Sequence, residues 1–97
     1  MPKAYWITAY HSISNPGALA EYAKLAGPAL TAAGGVFLAR GMPIATKEQG
    51  MMQRTVVIEF PSLEAAAAAY NSPGYKKALE ALGTNAAVRD IRIIEGV

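Results

Sequence analysis

The chain predicts an α+β domain of the ferredoxin-like kind, β-α-β-β-α-β with the second helix broken in two, and three observations predict it. Short runs rich in β-branched and aromatic residues alternate with stretches whose apolar residues recur at helical spacing. Each helical stretch opens on a capping residue beside a proline: Asn15-Pro16, Pro61-Ser62 and Ser72-Pro73. The whole is 97 residues, one domain over 1–97 with no length for a second.

Taken in order, Ala4 to Tyr10 (Ala-Tyr-Trp-Ile-Thr-Ala-Tyr) is the first strand, with apolar side chains at both parities, so both faces are expected to be covered. Leu19, Tyr22, Ala23, Ala26 and Leu30 mark the apolar stripe of the first helix. Gly27-Pro28 inside it predicts a kink or a break, because proline removes one backbone bond and crowds the preceding turn. Gly34-Gly35 ends the helix in the left-handed way. Val36 to Arg40 is the second strand, Gly41 to Gly50 a loop, and Arg54 to Phe60 a third strand, nearly continuous in apolar residues. A helix follows from Pro61-Ser62 to about Tyr70, with Glu64 set against the positive end of its dipole. Another runs from Ser72-Pro73 through Leu82 and stops at Gly83, and Asp90 to Glu95 is the fourth strand. Right-handed crossovers put the helices on one face of a four-stranded antiparallel sheet. The other face is left bare, and two sheets packed face to face in a homodimeric barrel would cover it.

Composition points the same way. Hydrophobic residues make up 53% of the chain and charged ones 16%, below the roughly 25% charged in soluble domains. A domain this small cannot hide so much apolar surface alone, which implies a homo-oligomer. The net charge of +2, with Lys76-Lys77 as the adjacent basic pair, argues against nucleic acid or an anionic membrane as partner. The chain has no cysteine, hence no disulfide and no thiol chemistry. Met1-Pro-Lys-Ala-Tyr-Trp lacks the basic-then-apolar run of a signal peptide, and no segment approaches the ~20 apolar residues of a membrane span. A cytoplasmic protein is expected.

Read together, Ala4-Tyr-Trp-Ile7, Gly34-Gly-Val-Phe-Leu-Ala-Arg-Gly41, Arg54-Thr-Val-Val-Ile-Glu-Phe-Pro-Ser62, Tyr70-Asn-Ser-Pro-Gly-Tyr75 and Ile94-Glu-Gly96 resemble the domain-of-unknown-function 1330 family over nearly the whole chain. That family is similar to the dimeric α+β barrel superfamily, whose members pair their sheets across a two-fold axis. Relatives there include cofactor-free monooxygenases, lactone isomerases, haem enzymes and stress-induced small proteins. The resemblance implies a fold and a dimer, and no particular reaction. The chain departs from the family pattern in three places. Ala69 stands where Trp usually precedes the tyrosine matching Tyr70, Gly83 stands where an arginine is common, and Glu48-Gln49-Gly50 replaces a Glu-Gly step. Each departure weakens any ligand role carried over from the family.

The candidate site residues come from charge and aromaticity. Arg40 ends the second strand and Arg54 begins the third, so a hairpin between them sets two guanidinium groups on one side of the sheet. Like charges so placed destabilise a sheet unless an anion lies between them, which a substrate carboxylate or Glu48 of the loop would supply. The competing expectation is that both arginines bind internal carboxylates. Glu59 sits within the apolar run Val56-Val-Ile-Glu-Phe60. Buried, it would have a raised pKa and suit acid or base work; the structural alternative is pairing with Arg92 or a place at the interface. His11, the single histidine, is expected in an exposed loop, where it would serve at most as a proton shuttle at a pocket mouth. Tyr22, Tyr70 and Tyr75 lie on the helices covering the sheet and suit either a pocket wall or ordinary packing. Trp6 is expected in the core. No serine-nucleophile motif, phosphate-binding glycine loop or metal-ligand spacing occurs, so no cofactor or metal is expected.

Three functions compete. The first is a homodimer with a pocket between helices and sheet, binding or transforming a small carboxylate-bearing or aromatic molecule. The second is a non-catalytic regulatory or stress-related scaffold. The third is an RNA-binding module, which shares the element order, but Thr55 and Val57 stand where its base-stacking aromatics would be needed.

Overall fold

The computed structural model describes residues 2–97. Its elements are β1 (Ala4–Ile13), α1 (Pro16–Ala32), β2 (Val36–Gly41), β3 (Thr55–Phe60), α2 (Leu63–Tyr70), α3 (Pro73–Leu82) and β4 (Ala87–Glu95). The strands form one antiparallel sheet in the order β2-β3-β1-β4. This is the ferredoxin-like arrangement, with the helices on one face.

The capping residues act as the sequence predicts. The side chains of Asn15, Ser62 and Ser72 accept the backbone N–H of Ala18, Ala65 and Tyr75 at 3.1, 3.1 and 3.3 Å. Of the kink or break expected at Gly27-Pro28, the break does not occur: α1 runs as one helix from Pro16 to Ala32. Gly27 eases the strain, since part of the clash that pushes the residue before a proline out of the helical region involves its Cβ, which glycine lacks. The carbonyl of Lys24, which loses its partner to Pro28, lies on the exposed side of the helix, where water can satisfy it.

Two strands are longer than expected. β1 continues past Tyr10 to Ile13, and β4 begins at Ala87 instead of Asp90, because the two extensions pair with each other. A bulge at His11 separates the pairs Tyr10–Arg89 and Ser12–Val88. It resets the alternation, so Ile13 returns to the core side, where it packs against the buried cluster.

Alternation sorts the rest. Ala4, Trp6, Thr8 and Tyr10 of β1 and Val56, Ile58 and Phe60 of β3 are buried beneath the helices. Register adds Phe37 and Arg40 of β2, and Arg89, Ile91 and Ile93 of β4, to the same face. From the helices, Tyr22, Ala26 and Leu30 of α1, Ala66 and Ala69 of α2, and Tyr75, Ala78 and Leu82 of α3 close the core. At the end of α1, Gly35 lies so close to its neighbours that a Cβ would stand 2.9 Å from the Leu30 carbonyl oxygen and 2.9 Å from the Phe60 ring. Only glycine fits there.

The opposite face carries Tyr5, Ile7 and Val57, each half-buried, and Val36 and Ile94, 55% and 58% exposed. Charges border this apolar strip: Lys3 with Glu59 at 3.4 Å, and Arg92 with Asp90 at 3.0 Å. No helix among the described residues is long and apolar enough to cross a membrane.

Candidate functional site: a cleft beside a tyrosine–arginine partition

A cleft lies between α1 and strands β1, β2 and β3. Trp6, Tyr10, Tyr22 and Phe37 wall it, and Arg40 and Arg54 stand in its lining. It encloses about 440 Å³ of unfilled space counting its mouth, of which about 40 Å³ admits the centre of a water molecule. The shape is that of a narrow slot with aromatic sides.

The two arginines do share this side. Arg40 pairs in register with Val56, two residues along the chain from Arg54, which precedes β3. Neither guanidinium has an acidic partner among the described residues. Arg40 lies over the Phe37 ring at 4.8 Å instead. Glu48, expected as one possible bridge, is an exposed loop residue with φ 51° and makes no ion pair. It is not among the residues that line the cleft.

Other candidates lie elsewhere. Glu59 is on the opposite face of the sheet, outside the cleft, and is not the buried carboxylate considered above: Lys3 pairs with it and Tyr5 Oη donates to it at 3.4 Å. Arg92, its expected partner, instead donates from Nε and Nη2 to both oxygens of Asp90 at 3.0 Å each. This holds the Asp90 carboxyl below its ordinary value. Strand geometry is the reason, since Arg92 and Asp90 are two residues apart on one face, while β1 lies between Arg92 and Glu59. His11 is exposed as expected but belongs to the β1 bulge and not to a loop, with Nε2 3.9 Å from Asp90.

The tyrosines do come together. Tyr22 and Tyr75 join hydroxyl to hydroxyl at 2.7 Å, buried between α1 and α3. Tyr75 is fully buried and packs edge-on to Trp6, with centroids 5.3 Å apart. Tyr70 leans on both rings but is 39% exposed and does not line the cleft.

Arg89 completes this cluster, and sequence reasoning missed it because it lay outside the expected fourth strand. Its Nη1 donates to Tyr22 Oη at 2.9 Å, and its guanidinium lies 4.8 Å from the Tyr22 ring centre and 5.7 Å from that of Tyr10. Burial pushes the Tyr22 and Tyr75 hydroxyls above their ordinary value of 10.0. Burial also works against the charge on Arg89, but the neighbouring Tyr22 and Tyr75 oxygens more than offset it and hold the group above its ordinary range. Tyr22 faces the cleft, and Arg89 faces a second, open groove along β4. The pair is the partition between the two.

The sheet order, with the helices on one face, defines a ferredoxin-like α+β fold. The chain belongs to the family described as a domain of unknown function, DUF1330, whose model matches residues 3–97. Solved structures agree on the fold. A protein of unknown function from Rhodopseudomonas palustris is 17% identical with a TM-score of 0.72, covering 99% of this chain and 83% of its own. SnoaB, a cofactor-independent oxygenase from Streptomyces nogalater, is 13% identical with a TM-score of 0.63, covering 100% and 95%. A nipsnap family protein with unknown function from Agrobacterium tumefaciens is 19% identical with a TM-score of 0.59, covering 98% and 88%. No curated protein matches the chain.

Proposed function

We propose that the cleft binds a small, flat molecule bearing a carboxylate or comparable anionic oxygen, in a protein that works as a homodimer through its bare sheet face. One observation carries the reading: two arginines without acidic partners line an aromatic slot. An uncompensated cation beside apolar walls favours an anion whose ring fits between them, held by charge-assisted bonds; Arg54 is half-buried and Arg40 exposed. Trp6, Phe37 and Tyr10 supply the walls.

No carboxylate or histidine lines the cleft, so the lining offers no conventional side-chain base. What it offers is stabilisation of negative charge on a bound oxygen. SnoaB is described as a cofactor-independent oxygenase, and a chemistry in which the substrate itself carries the reacting electrons is compatible with such a lining. The narrowness of the interior favours a second reading, the non-catalytic scaffold, in which the slot stays empty.

Trp6 is the only tryptophan and walls the cleft, so its emission reports occupancy. Benzoate, with benzyl alcohol as the uncharged analogue, is the probe. Benzoate is expected to quench Trp6 saturably, and Arg54→Ala to weaken it by about tenfold, the effect of losing a hydrogen bond to a charged group. Benzyl alcohol should bind weakly and equally to both forms. Unchanged benzoate affinity in both Arg40→Ala and Arg54→Ala defeats the assignment, and no response to any aromatic acid in a wider panel favours the scaffold.

A further inference from the structure

The groove on the far side of the partition is a different environment from the cleft. Ile91 and Ile93 of β4 line it together with Leu79 and Leu82 of α3, and Arg89 is its one basic residue. Its space is large, about 1000 Å³ open to water. Apart from Nη1, which Tyr22 takes, the Arg89 donors have no protein acceptor among the described residues. Among the described residues no buried side-chain nitrogen lacks a partner, so those donors keep some contact with solvent. Among the described residues no acidic group lies within ion-pair distance of Arg89, and the acid in the groove lining, Glu80, is exposed. A guanidinium braced on two aromatic rings, with a free donor edge at one end of an apolar trough, is a receptor for one negative charge attached to an apolar body.

We propose that this groove binds amphiphilic monocarboxylates. The carboxylate takes the free edge of Arg89, and the tail lies along Ile91 and Ile93 against Leu79 and Leu82. From Arg89 to Ile93 the strand rises about 13 Å, at roughly 3.3 Å per residue, which suits a medium-length alkyl chain. A dianion is disfavoured, because Arg89 is the lone cation there and Glu80 repels a second negative charge.

The test is a titration of the full chain with sodium decanoate, followed by amide resonances, with decanol and decylamine as controls. Decanoate below its self-association concentration should shift the amides of Leu79, Leu82, Gly83, Ile91 and Ile93 saturably, and decylamine should not. Arg89→Gln should weaken decanoate by about tenfold or more, while Arg89→Lys retains most of the affinity. Because Arg89 also braces Tyr22, a second variant keeps the test independent of folding. Glu80→Gln, on the exposed side of α3, should tighten decanoate by removing the repulsion. The proposal fails if the shifts do not saturate, if they map to the cleft or the bare sheet face, or if Arg89→Gln and Glu80→Gln both bind as the parent does. It also fails if the groove amides shift with protein concentration alone, which would seat a second copy there. Trp6 emission reports the cleft separately, so loss of benzoate binding and loss of decanoate binding are distinguishable.

Discussion

Tyr22 and Tyr75 are where a single functional group has the largest physical consequence. Both hydroxyls are raised by burial, so the folded protein holds protons that the unfolded chain releases above about pH 10. The stability they contribute is therefore complete below that pH and is lost as pH rises toward their folded values. Denaturant unfolding between about pH 9 and 11.5 should show stability falling by up to about 1.4 kcal/mol per pH unit for each tyrosine. Tyr75→Phe should roughly halve that slope and cost about 1 kcal/mol at neutral pH, the net value of one buried hydrogen bond. A slope unchanged in Tyr75→Phe would mean that other groups titrate. The sequence exposes both tyrosines as wall or packing residues, yet it cannot show that they touch, since residues 53 apart meet only through the docking of α1 on α3. Arg89 was invisible for a related reason: Gly83-Thr84-Asn85 ends a helix, and only the pairing of Ala87–Arg89 with the tail of β1 makes that segment a strand.

Elements were far more legible than sites, because strands and caps are local properties. Asn15, Ser62 and Ser72 cap as their chemistry dictates, and β3 begins one residue from its expected start. The misses share a cause. Whether a proline breaks α1 depends in part on the Cβ of the residue before it, and whether β1 stops at Tyr10 depends on a partner strand elsewhere in the chain. Gly35 shows how tightly these elements are joined. Gly35→Ala should lower stability by about 1–3 kcal/mol, the usual cost of overpacking, measured by thermal or urea unfolding, since neither the Leu30 carbonyl nor the Phe60 ring can withdraw easily. A cost below about 0.5 kcal/mol, the level of ordinary surface changes, would mean that the junction of α1 and β2 is softer than its packing indicates. His11 lies at the other extreme. As the extra residue of the bulge it can be deleted without altering which side chains face the core, so the deletion should leave the fold intact, as judged by circular dichroism and retained Trp6 emission.

At the scale of the molecule, the bare sheet face is where the proposed dimer would form. Val36 and Ile94 project from it, exposed, with Ile7 and Val57 between them. Sedimentation should therefore find a species about twice the 10.2 kDa chain mass. Val36→Glu with Ile94→Glu should shift it toward the monomer by setting unpaired charges in the interface. A parent chain that sediments as a monomer at high concentration defeats the dimer. The partition described above has a consequence at this scale too. Tyr22 and Arg89 are one hydrogen bond apart, and each faces a different cavity. Whatever draws Arg89 outward changes the hydrogen bonding of the Tyr22 phenol, a residue that lines the other side. Thermodynamic linkage then requires reciprocity: the factor by which decanoate changes benzoate affinity must equal the factor by which benzoate changes decanoate affinity. A factor of one would make the partition a rigid wall. Any other value would make this small domain a two-input device whose coupling passes through a single phenol.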